Sequence, residues 1–158
     1  MISKNTSVLW RILFLSAVAV GLTGCLSLEQ RFTNTAENVV KLINAGDAET
    51  LSEMTRTPFI LDGEILLLEQ DTSGFWRDIA AAGFRIANPS LIEVFPVDDS
   101  SFKQFGGSME VETFFKKYVS EKGNVVIIET ENTTIWFLFE MTKQKKTKLL
   151  GFKGPIQK

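Results

Sequence analysis

The chain has 158 residues, 44% hydrophobic and 11% aromatic, with a formal net charge of −2, one cysteine and no histidine. That mildly acidic balance argues against a nucleic-acid partner. Without histidine, triads that use a His base are excluded, as are His-ligated zinc or haem sites, and the lone Cys25 excludes an internal disulfide.

The first element is the N-terminal segment. Lys4 and Arg11 precede an apolar stretch, residues 12–22, followed by the small side chains of Thr23 and Gly24. A positive start, a short apolar run and small residues before a cut describe a secretory signal peptide. The run is too short for a transmembrane helix, which needs about 20 apolar residues. The ending Leu22-Thr23-Gly24-Cys25 resembles the lipobox of bacterial lipoproteins. That resemblance implies cleavage between Gly24 and Cys25, a diacylglyceryl group on the Cys25 sulfur, and a fatty acid such as palmitate on the new amino group. The protein is then lipid-anchored and extracytoplasmic at the cell membrane. Leu26, where an aspartate would signal inner-membrane retention, implies the outer membrane in a cell that has two. The competing reading is an ordinary signal peptide or a buried helix with an incidental cysteine. Residues 1–24 are expected as signal peptide, 25–31 as a lipidated tether and 32–158 as a single domain.

Phe32, Ala36, Val39, Val40 and Ile43 recur at helical spacing, which predicts an amphipathic helix over residues 28–44. Gly46 ends it, and Asp47 caps a second, short helix carrying Leu51 and Met54. Asp62-Gly63 between two apolar runs predicts a hairpin, because a type I′ turn needs positive φ at both central positions. Asp71, Thr72 and Ser73 are candidate N-caps for a third helix with Trp76, Ile79 and Ala80 on one face, ended by Gly83. A strand follows over residues 91–97, then an ambiguous helical turn over 102–107. Ser108 caps a helix whose buried face is Val111, Phe114, Phe115, Tyr118 and Val119. Three strands, 125–130, 134–141 and 147–153, close the chain as an antiparallel meander. The middle one is apolar on both faces, so it is expected to be covered on both sides or to line a cavity or partner surface.

Helices, a hairpin, another helix and a mostly antiparallel sheet make an α+β domain with helices packed on a curved sheet. Together with residues 45–51 and 57–63, this order resembles the nuclear transport factor 2-like superfamily. The resemblance implies a cone-shaped fold and, in ketosteroid isomerase-type relatives, a cavity with a catalytic aspartate and an oxyanion-binding tyrosine. The helix near Val111 departs from the simplest layout of that family.

No motif assigns catalytic residues, and no metal or cofactor is implied. Asp62 is the strongest candidate carboxylate, with Tyr118 the only tyrosine, yet its place before Gly63 is also ordinary turn chemistry. Glu140 and Glu129, in or at the end of apolar strands, either enter a pocket or face water, the second being commoner. Trp76, Trp136, Phe114 and Phe115 read as core more readily than as a ligand cavity. Lys143, Lys145, Lys146, Lys148, Lys153 and Lys158 follow Glu140 with no acidic residue between them. They read either as edge-strand protection or as a contact for anionic lipid headgroups. The expectation is a non-enzymatic, membrane-anchored lipoprotein of the cell envelope whose domain binds a partner protein or a small apolar ligand. The alternative is a cavity enzyme, an isomerase or hydro-lyase, using Asp62 or Glu140 with Tyr118.

Overall fold

The computed structural model describes residues 27–157. Cys25 and Leu22-Thr23-Gly24 lie outside them, as does Lys158.

Helix α1 (Leu28–Ala45) forms where the periodicity placed it, burying Phe32, Ala36, Val39, Val40 and Ile43. Ser27 Oγ accepts the Gln30 N–H at 3.1 Å, satisfying one of the first-turn donors. Gly46, at φ 73°, ends the helix in the left-handed conformation, and the Asp47 N–H reaches back to the Leu42 carbonyl. Asp47 then caps α2 (Ala48–Met54) through the Thr50 N–H at 3.0 Å.

Strands β1 (Thr55–Leu61) and β2 (Glu64–Leu66) form the expected hairpin, with Asp62 and Gly63 at φ 48° and 95°. Helix α3 (Glu69–Ala81) begins before the three candidate caps, behind Leu68, with no side-chain cap. Glu69 and Asp71 in the first turn instead complement the helix dipole. Buried Thr72 donates to the Leu68 carbonyl rather than capping. After β3 (Leu91–Pro96) come the short α4 (Phe102–Phe105) and α5 (Met109–Tyr118), the latter capped by Ser108 as expected. Strands β4 (Gly123–Glu129), β5 (Thr133–Met141) and β6 (Thr147–Gln157) complete the chain as an antiparallel meander.

The six strands lie in the order β2-β1-β6-β5-β4-β3, and only the β1–β6 pairing is parallel. The α+β content is as expected; the cone is not. The sheet is flat and open, neither curled nor closed, with β2 and β3 as its separated edges. This corrects the curved-sheet expectation and the resemblance to the nuclear transport factor 2-like superfamily. The physical reason lies in β5. Ile135, Phe137 and Phe139 pack on the first face with α1, α2 and α3, while Trp136 and Leu138 pack on the second with α4 and α5. A strand apolar on both sides is stable as the middle layer of a sandwich, not as a wall with one wet concave face. The space beneath α1–α3 is filled by a run of rings, Phe32–Phe139–Phe137–Phe152–Trp76–Phe59, with successive centroids 5.5–6.3 Å apart.

Two irregularities adapt β6 to its neighbours. Leu138 pairs with Gly151 and Phe139 with Leu149, so Leu150 is the extra residue of a bulge. At Gly151 a Cβ would stand 2.5 Å from Ile60 Cγ2 and 3.1 Å from Leu138 Cβ, so only glycine lets β1 and β6 approach there.

Candidate functional site

Glu140 is the one buried carboxylate among the described residues, 6% exposed. It shares the second face with Trp136 and Leu138, being even-numbered in the same strand. Its Oε1 accepts the Ser120 N–H at 3.0 Å, just beyond the end of α5. Its Oε2 accepts from Arg56 Nη1, whose side chain reaches across from β1 and is 44% exposed. Glu140 therefore ties β1, β5 and the α5–β4 loop together with both oxygens engaged. The water-facing reading of Glu140 is corrected: a carboxylate between two apolar layers is retained only when paired and hydrogen-bonded.

Asp62 is exposed and serves the turn. Its N–H donates to the Phe152 carbonyl at 3.0 Å, and its Oδ1 accepts the Gly154 N–H at 2.8 Å, which moors the hairpin to β6. Glu140 faces Lys148 at the opposite end of β6, so roughly 15 Å of strand separates the two carboxylates. Tyr118 packs on Phe114 at 5.7 Å and lies under Lys117 Nζ. Among the described residues no hydrogen bond joins Tyr118 to Asp62 or to Glu140, the two carboxylates of the cavity-enzyme alternative. Glu129 is half-buried at the end of β4, and its carbonyl accepts the Ser90 N–H. Trp76, Phe114 and Phe115 are core, as expected.

A cleft of about 460 Å³ opens between the β3–α4 loop and α5, lined by Val97, Asp98, Asp99, Phe115 and Lys116 among others. Hydrogen bonds from the Ser100 side chain and backbone, and from Ser101, hold the Asp98 carboxyl below its ordinary pKa. The Glu112 carboxylate, 2.6 Å from Lys116 Nζ, raises the ammonium's pKa, and Asp99 adds to the effect. These carboxylates serve a turn and an exposed helical pair. No group of three acidic or cysteine side chains among the described residues is arranged to hold a metal ion.

The C-terminal lysines divide. Lys148 Nζ donates to the Glu53 carbonyl and Lys153 Nζ to the Gln104 carbonyl, both at 2.5 Å. Lys143, Lys145 and Lys146 are exposed in the β5–β6 turn. Because β5 and β6 are interior strands, their lysines protect no sheet edge, and the edge-strand reading is corrected.

No protein-family model and no curated protein matches this chain. The assignment of a role therefore rests on the molecule's own chemistry, and nothing in the fold or these comparisons supports the lipobox resemblance, whose four residues lie outside the described ones. Sequence reasoning missed Arg56 and Ser120 as the partners of Glu140. The available signal was parity: a glutamate two residues after Leu138, on a strand covered on both sides, must bring its own counter-charge inside.

Proposed function

We propose that the protein is held at a membrane through Cys25 and that its domain is a non-enzymatic binding module acting outside the cytoplasm. The observation that carries this reading is the exposure of the first described residues. Ser27 and Leu28 are exposed at the N-terminal end of α1, Ser27 only two residues after Cys25, so a lipid there would enter a bilayer without disturbing the described core. Two acyl chains suffice for stable attachment where one does not. Among the described residues no helix is long and apolar enough to cross a membrane.

Binding rather than catalysis is supported by the aromatic filling under α1–α3 and by the engagement of both Glu140 oxygens. A partner protein fits better than a small apolar ligand, because apolar side chains are left outside rather than around a void. Phe95 is 43% and Ile156 38% exposed, and Ile127 and Trp136, half-buried against the cluster of α4 and α5, lie between them.

Mass spectrometry of the N-terminal peptide of the membrane-isolated protein tests the anchor. An acylated Cys25 is expected, and an unmodified Cys25 ends the reading. For the module, a photo-crosslinking residue at Phe95 is expected to give one discrete protein adduct in cells. The same residue at exposed Glu37 on α1 is expected to give none. A small molecule retained in native mass spectra, with no adduct at Phe95, would favour the ligand instead.

A further inference from the structure

The lysine turn lies at the same end of the domain as the entry from Cys25. Helix α1 starts near the turn: Phe32 stacks on Phe139 at 6.3 Å, and Asn34, Thr35 and Asn38 line one groove with Lys146, Thr147 and Lys148. It finishes at the far end, where Asn44 bonds both backbone groups of Ile86, and Ile86 lies beside Thr130 and Thr133 of the β4–β5 turn. Two residues span about 7 Å at most, so a lipid on Cys25 pins Ser27 within roughly one Debye length of the headgroups. Leu28, 52% exposed in the first turn of α1, presents an apolar side chain to the same plane.

The turn's backbone is a second, independent observation. The Thr142 N–H donates to the Lys146 carbonyl, the Lys145 N–H to the Thr142 carbonyl, and the Lys146 N–H to Thr142 Oγ1. Closing this loop puts Lys145 at φ 60°, a left-handed conformation that glycine or asparagine adopts more readily. A lysine held there keeps a third cation on the turn at a conformational cost. Among the described residues none of the three forms an ion pair, whereas Arg56 and Lys116 do. The acidic groups at this end lie beside the turn rather than on it: Glu29 in the first turn of α1, Glu53 in the groove with Lys148, and Asp98, Asp99 and Glu121 around the cleft next to Gly123, where Lys116 and Lys122 also stand.

We propose that Lys143, Lys145 and Lys146 form a contact surface for anionic phospholipid headgroups and set the anchored domain upright with the β5–β6 turn against the bilayer. The inference rests on the anchor reading above. Each lysine near such a surface strengthens the contact by about fivefold, so three together are enough to fix one orientation.

The test uses the membrane-isolated protein reconstituted into vesicles and labelled with a water-soluble amine reagent, each lysine being read by mass spectrometry. On vesicles containing phosphatidylglycerol, Lys143, Lys145 and Lys146 should label at least threefold more slowly than on pure phosphatidylcholine, with exposed Lys41 near the far end of α1 unchanged. Equal rates on the two vesicle types overturn the proposal, as does equal protection by inorganic phosphate without anionic lipid. In the combined variant Lys143→Gln, Lys145→Gly, Lys146→Gln, the neighbouring Lys122 should lose the protection it has in the parent on anionic vesicles. A Lys122 rate that ignores the variant also overturns it. The mass of the Cys25 peptide from the same sample separates the failures. An unmodified Cys25 removes the anchor and this inference together, whereas an acylated Cys25 with indifferent lysines removes only this inference.

Discussion

The two faces of the sheet are built differently, and the difference separates what holds the domain together from what it offers outward. On the first face α1, α2 and α3 cover the strands and the rings interlock. The Trp76 indole N–H has a partner, Thr55 Oγ1 at 2.9 Å, which in turn donates to the Leu51 carbonyl. On the second face α4 and α5 cover only the middle of the sheet, leaving Phe95 and Ile156 exposed and a cleft beside Phe115. That face also holds two buried polar atoms without a partner among the described residues, Gln104 Oε1 and Trp136 Nε1. A fully satisfied layer maximises stability; a partly covered one keeps surface available.

The largest expected effect is on the first face. Trp76→Ala removes a fully buried ring and the N–H that the Thr55 hydroxyl accepts, which should cost about 4–5 kcal/mol in denaturant unfolding. Phe115→Ala, beside the cleft, should cost about 3 kcal/mol at most, because its space opens to water. Equal losses at the two positions would break the contrast between the faces. Gly151→Ala probes the spacing of β1 and β6 and should cost about 2–3 kcal/mol through the collision with Ile60. Glu140→Gln should cost about 2 kcal/mol, below the range for fully buried pairs because Arg56 is partly in water.

Smaller effects belong to the turns. Lys145→Gly should stabilise the fold by about 1 kcal/mol, since relief of the left-handed strain exceeds glycine's added freedom in the unfolded chain. A loss of stability there would mean that the lysine side chain packs in a way its exposure does not suggest. The smallest effect is with pH. Hydrogen bonds from the Thr50 backbone and hydroxyl lower the Asp47 pKa, as those of Ser100 and Ser101 lower that of Asp98. A depressed folded-state pKa gives stability that is present above the unfolded value, near 3.8, and lost as pH falls through the folded one. Below about pH 4, protection against amide exchange, relative to an unfolded chain at the same pH, should therefore fall in α2 and in the Asp98 loop. The acid dependence should disappear in Asp47→Asn and Asp98→Asn respectively.

Local structure was largely legible. The apolar face of α1, the Gly46 stop, the Asp47 and Ser108 caps, the Asp-Gly hairpin and the closing meander all follow from patterns within a few residues. The start of α3 was not, because the helix begins at Glu69 without a side-chain cap and takes the candidate caps Asp71, Thr72 and Ser73 into its first turns. The candidate site was less legible still. Glu140 was visible as an interruption in an apolar strand, but its partners Arg56 and Ser120 come from 84 and 20 residues away. The lysines could be counted, yet their meaning depended on whether β5 and β6 were edges.

The sequence alone determined the elements, their caps and turns, the absence of histidine chemistry, and a β5 apolar on both sides. These are short-range properties, fixed by side-chain periodicity and by which residues tolerate which φ. Only the tertiary structure decided that β1 runs parallel to β6, that α4 and α5 take the opposite face from α1–α3, and that the sheet stays flat and open. It also decided that the chain's entry and the lysine turn share one end. Each of those depends on long-range fits such as Gly151 against Ile60 and Glu140 against Arg56, which join residues far apart in the chain.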